Sequence, residues 1–219
     1  MNFDPALLGT YGPQLLIGLG WTAWICLVSI IAGAVWGLAL ALLRRRWRAA
    51  SRLVSAYVSV FRGTPLLIQL FVLYYGGPGL GLTLDAVTTG LIGLTLYGGA
   101  YFSEIFRAGF TAVPKGQEEA ARSLGLSRWL TFRLVQLPQL LVAVIPPMTN
   151  QSIILLKESA VLSVITVPEL TFQTTRMVAE TFTVIEPYLS LALLYWVAAT
   201  LVSRVGQYAE AALTTHLRQ

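Results

Sequence analysis

Residues Gln14 to Leu43 carry no charged side chain. A run of about 30 residues, rising 1.5 Å per residue as a helix, is longer than the roughly 20 needed to cross hydrocarbon. Hydrocarbon offers the backbone no water, so a lipid-exposed run of this kind has to be helical. The rest of the chain agrees. It is 56% hydrophobic and only 11% charged, against about 25% charged in a soluble domain. There is too little polar surface here to cover a water-soluble fold. Six Trp and nine Tyr suit the membrane interfaces. No Lys or Arg precedes Arg44. The first run is therefore expected to be a retained transmembrane helix, because a cleavable signal has a basic start and a shorter apolar core. Within it Gly33 and Gly37 form a G-x-x-x-G pair, which either permits close helix packing or reflects the ordinary glycine content of membrane helices.

The basic residues lie between apolar runs. Arg44, Arg45, Arg46, Arg48 and Arg52 follow the first run. The positive-inside rule puts them in the cytoplasm and the N-terminus outside. A second run, about 57–75, climbs outward, with Arg62-Gly63-Thr64-Pro65 predicting a local break. A third, about 86–106, returns and ends near Arg107. The segment 113–137 is basic again. A fourth run, about 138–156, carries Pro146-Pro147 outward. Residues 157–185 hold two basic and three acidic side chains, which fits the outside, and part of this segment is expected to pack on the bundle. The fifth run, about 187–205, returns, leaving Arg204 and Arg218 inside. The expectation is an all-α integral membrane protein of about five transmembrane helices in one domain spanning 1–219. A net charge of +5 then serves topology. No aromatic-interleaved basic patch of the nucleic-acid-binding kind is visible.

Between the third and fourth runs lies a helix-prone polar segment. Pro114 suits a helix start. Glu118 and Glu119 fall where the helix dipole favours negative charge. Ala120, Ala121 and Leu124 are expected to share a small apolar face. Gly125 is placed to take the left-handed position after the helix, and Ser127 to cap a second helix at Arg128, with Pro138 opening the next span. A short amphipathic helix, a sharp turn and a helix returning to the membrane suit docking into a partner's groove. A partnerless interfacial helix is the other reading of the same residues.

Glu119-Ala120-Ala121, three residues, Gly125, nine residues, then Val135-Gln136-Leu137-Pro138 resembles the EAA loop of permease subunits in bacterial ABC importers. Arg62-Gly63-Thr64-Pro65-Leu66-Leu67, Ala100-Tyr101-Phe102-Ser103-Glu104-Ile105-Phe106-Arg107 and Leu156-Lys157-Glu158-Ser159 resemble the polar amino-acid (histidine, glutamine, arginine) branch of that family. The resemblance implies a permease that dimerises with an identical or related subunit in the bacterial inner membrane. It implies separate ATPase subunits that hold ATP and Mg, docked on a cytoplasmic coupling-helix loop at about 114–138. There Glu118, Glu119, Ala120, Ala121, Arg122 and Gly125 would make the contact. An extracytoplasmic solute-binding protein would deliver the amino acid. In family members the positions matching Ser103, Arg107, Gln151 and Glu158 face a substrate cavity. A guanidinium at 107 suits a carboxylate, and Glu158 suits an ammonium or a cationic side chain.

Ionisable groups inside spans are functional candidates by default. Glu104 needs a partner, and Arg62, one helix away, is the expected one, as a structural ion pair. The absence of a G-x-x-x-x-G-K-[ST] motif rules out a P-loop in this chain. A lone Cys26, expected as a small buried core residue, excludes an intrachain disulfide and a multi-Cys metal site. A single tail histidine, His216, excludes a His-based triad or metal cluster. No enzymatic chemistry is expected of the chain itself. The rival reading is a small gradient-driven secondary transporter or channel using Glu104 and Glu158 as proton relays. Such a carrier needs no ATPase dock, so the loop separates the two.

Overall fold

The structure, a computed structural model, describes residues 6–215, so His216 and Arg218 lie outside the described residues. The described residues form nine α-helices with short π and 3₁₀ turns. Helix α1 (Ala6–Arg46) has 41 residues, about 60 Å of helix and longer than a bilayer core. Its buried side is a stripe that includes Gly18, Thr22, Ser29, Gly33 and Gly37. Leu16, Ile17, Leu27, Ile31 and Val35 face outward. Small residues inside and large apolar ones outside are what a lipid solvent favours, since tails are as apolar as leucine and only close packing holds helices together.

Trp47 is extended and separates α1 from α2 (Arg48–Gly63). Thr64 and Pro65 are both extended too, because proline keeps its predecessor out of the helical region. Helix α3 (Leu66–Phe71) then leaves at an angle of 105° to α2. The expected second span is thus a corner rather than a locally broken rod. Gln69 Nε2 reaches back across that corner, donating to Phe61 O (3.0 Å), Thr64 O (3.1 Å) and Thr64 Oγ1 (2.9 Å). It satisfies carbonyls that the break orphans. A π turn (Val72–Gly76) and a 3₁₀ turn (Gly77–Leu80) close the segment.

Helix α4 (Ala86–Ala112) is capped by Asp85, which accepts from Thr88 N at 3.0 Å and from Thr88 Oγ1 at 2.6 Å. These donors hold the Asp85 carboxyl below the usual carboxylate range. Helix α4 packs most extensively on α1, and α7 is its next partner. Phe102, Leu94, Leu155, Leu162, Ile165, Leu70 and Ile25 form the core around it. Helix α5 (Lys115–Ser123) leads to α6 (Arg128–Thr131). A π turn (Phe132–Gln136) joins α6 to α7 (Leu137–Glu158), and a 3₁₀ turn (Ser159–Ile165) follows. The expected separate helix at Arg128 therefore runs straight into the fourth span. Helix α8 (Leu170–Thr181) packs on α1 and α9 (Ile185–Thr215), so part of the segment 157–185 does lie against the bundle, as expected.

Three helices among the described residues are long and apolar enough to cross a membrane: Ala6–Arg46, Arg128–Ile165 and Ile185–Leu213. The bent pair makes a fourth if it is one span. Helix α4 has the length, at 27 residues, and lies at the centre of the packing, against α1, α2, α3 and α7. Cys26 is buried, as expected.

Candidate functional site

Two features carry the chemistry. The first is α5. Its C-terminus is a Schellman turn: Leu126 N donates to Ala121 O (3.2 Å) and Gly125 N to Arg122 O (2.9 Å), with Gly125 left-handed at φ +80°. Ser127 caps α6 through Leu130 N at 3.3 Å. Glu118 pairs with Arg122 (3.2 Å) and accepts from Gln136 Nε2 (3.2 Å), tying α5 to the start of the next span. The expected apolar face divides. Ala121 turns inward at 4% exposure, whereas Ala120 is exposed and Leu124 stands 82% exposed. Glu119, Arg122 and Gly125 are exposed beside them. Short inward side chains let α5 lie flat on the π turn. What remains outside is a small surface that includes Leu124, and nothing among the described residues covers it.

The second feature is a cavity of about 520 Å³ between α4 and α7, roofed by the end of α2. It is lined by Arg62, Tyr101, Glu104, Arg107, Asn150 and Gln151, with Ala143 and Pro147 on its wall. On α4 the polar residues recur at Tyr97, Tyr101, Glu104 and Arg107, one stripe of the helix. Gln151 is 5% exposed, and its Nε2 has no hydrogen-bond partner. The Tyr97 and Tyr101 hydroxyls are 3.3 Å apart, and Arg62 lies over the Tyr101 ring at 5.1 Å.

Glu104 departs from expectation. Its partners are Arg44, 2.5 Å away on α1, and Arg107, 2.7 Å away on its own helix. Arg62 stands over Tyr101 instead. Arg44 also donates to Ser55 Oγ at 2.9 Å, so one carboxylate joins α1, α2 and α4. The signal for this was present in the sequence, as an arginine near the end of each of two packed helices, but only the α1–α4 register selects Arg44.

Of the four residues assigned to substrate, Arg107 and Gln151 come together on the cavity wall. Ser103 is not among its lining residues. It is 2% exposed, its hydroxyl donates to Ala100 O at 2.8 Å, and its backbone abuts Gly37 of α1. Glu158 is also absent from the lining. It is half-buried at the end of α7, near enough to Tyr97 for its charge to act there. A second cavity, about 420 Å³, separates α5 from the bundle and is lined by Arg45, Arg107, Lys115, Glu118 and Gln136. Arg107 thus borders both the inner cavity and the space above α5.

One buried group went unread in the sequence. Glu169 is fully buried and caps α8, accepting from Thr171 N (2.8 Å), Phe172 N (2.7 Å) and the Tyr195 hydroxyl (3.1 Å). It pins α1, α8 and α9 together through Thr22. Val-Pro-Glu-Leu lacks the Ser, Thr, Asp or Asn that usually marks a cap.

Residues 30–215 match the model of the binding-protein-dependent transport system inner membrane component. The chain belongs to that family. Among curated permeases of this kind, the probable amino-acid ABC transporter permease YckA of Bacillus subtilis is 40% identical over 197 residues, covering 87% of this chain and 85% of its own. The arginine transport permease ArtQ of the same organism is 35% identical, with 99% and 100% covered. The glutamine permease GlnP of Escherichia coli is 33% identical, with 93% and 94% covered. A chain from a crystal structure of an amino acid ABC transporter with histidines superposes with a TM-score of 0.89 at 35% identity, covering 97% of this chain and all of that one. A chain of the inward-facing MetNI methionine transporter, 19% identical, shares the fold at a TM-score of 0.77. Within the binding-protein-dependent permease family the expected all-α membrane fold stands.

Proposed function

We propose that this chain is the permease subunit of an ATP-driven amino-acid importer in a bacterial inner membrane. It spans five times, through α1, the bent α2–α3 pair, α4, α6–α7 and α9, with the N-terminus outside. Arg44, Arg45 and Arg46 at the end of α1, and Lys115, Arg122, Arg128 and Arg133 around α5, mark the cytoplasmic side. One observation carries the reading: the EAA segment is an ordered helix closed by a left-handed glycine, held to the bundle by Glu118 and exposing Leu124.

Glu118, Glu119, Ala120, Ala121, Arg122 and Gly125 form or shape the surface that an ATPase subunit grips. A second permease, identical or related, completes the path, and α9, whose apolar stretch is unburied in the single chain, has surface to spare for it. A solute-binding protein presents the amino acid outside. Closure of the ATPase pair draws the α5 helices together and tips the spans as rigid rods. Arg107, bordering both cavities, lies between the moving loop and the substrate path. Arg107 and Gln151 meet the substrate, Glu158 stands at its outer approach, and Ser103 serves α1–α4 packing. The chain performs no bond chemistry.

Co-expression with a candidate ATPase subunit and purification through a tag on this chain tests the proposal. Stoichiometric recovery of the ATPase, reduced by Leu124→Asp without loss of membrane insertion, is the expected result. A chain that purifies alone and still transports would favour the gradient-driven carrier.

A further inference from the structure

The charges around the inner cavity are unbalanced. Each oxygen of Glu104 is paired with an arginine, Oε1 with Arg44 and Oε2 with Arg107, so the one carboxylate among the lining residues has its charge already offset within the protein. Arg62 lies over an aromatic ring, and among the described residues no carboxylate is within ion-pair distance of it. Arg107 leaves 46% of its side chain exposed. Gln151 Nε2 adds a buried donor without an acceptor, a costly arrangement unless something fills it.

The wall also offers an acceptor. In an α-helix the Ala143 carbonyl accepts from residue 147, and in a 3₁₀ turn from residue 146. Both are prolines here and have no N–H. Ala143 and Pro147 both line the cavity. The double proline therefore frees a backbone carbonyl at the cavity wall, a group suited to an ammonium.

We infer that this cavity accepts amino acids whose side chain is neutral or acidic and rejects those whose side chain is cationic. This deepens, and rests on, the importer reading above. The α-carboxylate lies against Arg62 or the open edge of Arg107. The α-ammonium meets the Ala143 carbonyl. A side-chain carbonyl or carboxylate accepts from Gln151 Nε2. A guanidinium or a second ammonium would enter among arginines with no unpaired carboxylate to meet it, and partial dehydration strengthens that repulsion. Glu158, the one acidic residue earlier matched to a cationic side chain, is not on this wall.

The test is equilibrium binding of radiolabelled glutamine, glutamate, arginine and lysine to the purified permease–ATPase assembly in nanodiscs, without the solute-binding protein. Glutamine and glutamate are expected to bind about tenfold or more tightly than arginine and lysine. Arg62→Gln, at the exposed end of α2, is expected to narrow that gap, because every ligand loses a carboxylate partner but only arginine and lysine are also relieved of a repelling charge. Arginine or lysine binding as tightly as glutamine overturns the inference, and so does an intact assembly that binds none of the four. Retention of the ATPase on the same preparation tests the importer reading separately.

Discussion

Gly125 and Glu104 show what a single residue decides in this chain. An added Cβ at Gly125 meets nothing within 4 Å, so its requirement is the φ of +80°. Gly125→Ala is expected to strain the turn by about 1–2 kcal/mol. Asp and Asn enter the left-handed region more readily, so Gly125→Asp is expected to leave the loop folded. Its defect should appear as lost ATPase recovery, because the charge projects into the docking surface. Equal ATPase recovery from wild type and Gly125→Asp would place that surface elsewhere. For Glu104, Glu104→Gln and Arg44→Gln are each expected to cost about 2 kcal/mol, read as lowered thermal stability in detergent. The double variant is expected to lose less than the two together, since both remove one interaction. Arg62→Gln should show no such coupling to Glu104. The sequence placed a carboxylate needing a cation at 104, but the choice among arginines depended on helix register, which no local pattern encodes.

At the scale of elements, close contact between α1 and α4 holds the bundle. A Cβ at Gly37 would stand 2.7 Å from Phe102 Cβ and Ser103 N and 2.9 Å from Gly99 O. Two of these are backbone atoms, which cannot swing aside. Gly37→Ala is expected to cost about 1–3 kcal/mol by forcing the helices apart, seen as a lower melting temperature and weaker membrane accumulation. The G-x-x-x-G spacing at Gly33 and Gly37 was legible, although glycine enrichment alone would have produced the same letters. The α5 helix, its glycine turn and the Ser127 cap were legible because each rests on local chemistry. The corner at Thr64-Pro65 was legible as a break but not as a turn of 105°, since its angle is set by what α3 packs against. Glu169 was hidden because glutamate is an unusual cap residue and because the groups it ties together, Thr22 and Tyr195, are distant in sequence.

Across the whole molecule, the two cavities of the bundle share Arg107 on their walls. The cavity wall combines α2, α4 and α7, so sequence could name Ser103, Arg107, Gln151 and Glu158 together but not tell which of them line this wall. The loop end was readable alone because it is continuous in sequence. The central claim is that α5 receives motion from an ATPase. Its most direct test is disulfide or bifunctional cross-linking from Ala120→Cys in inverted membrane vesicles holding the complete transporter, with Cys26 buried and out of reach. The expected result is a cross-link to the ATPase subunit whose yield changes on adding ATP. A probe that labels only lipid, with no second polypeptide in any nucleotide state, would contradict it.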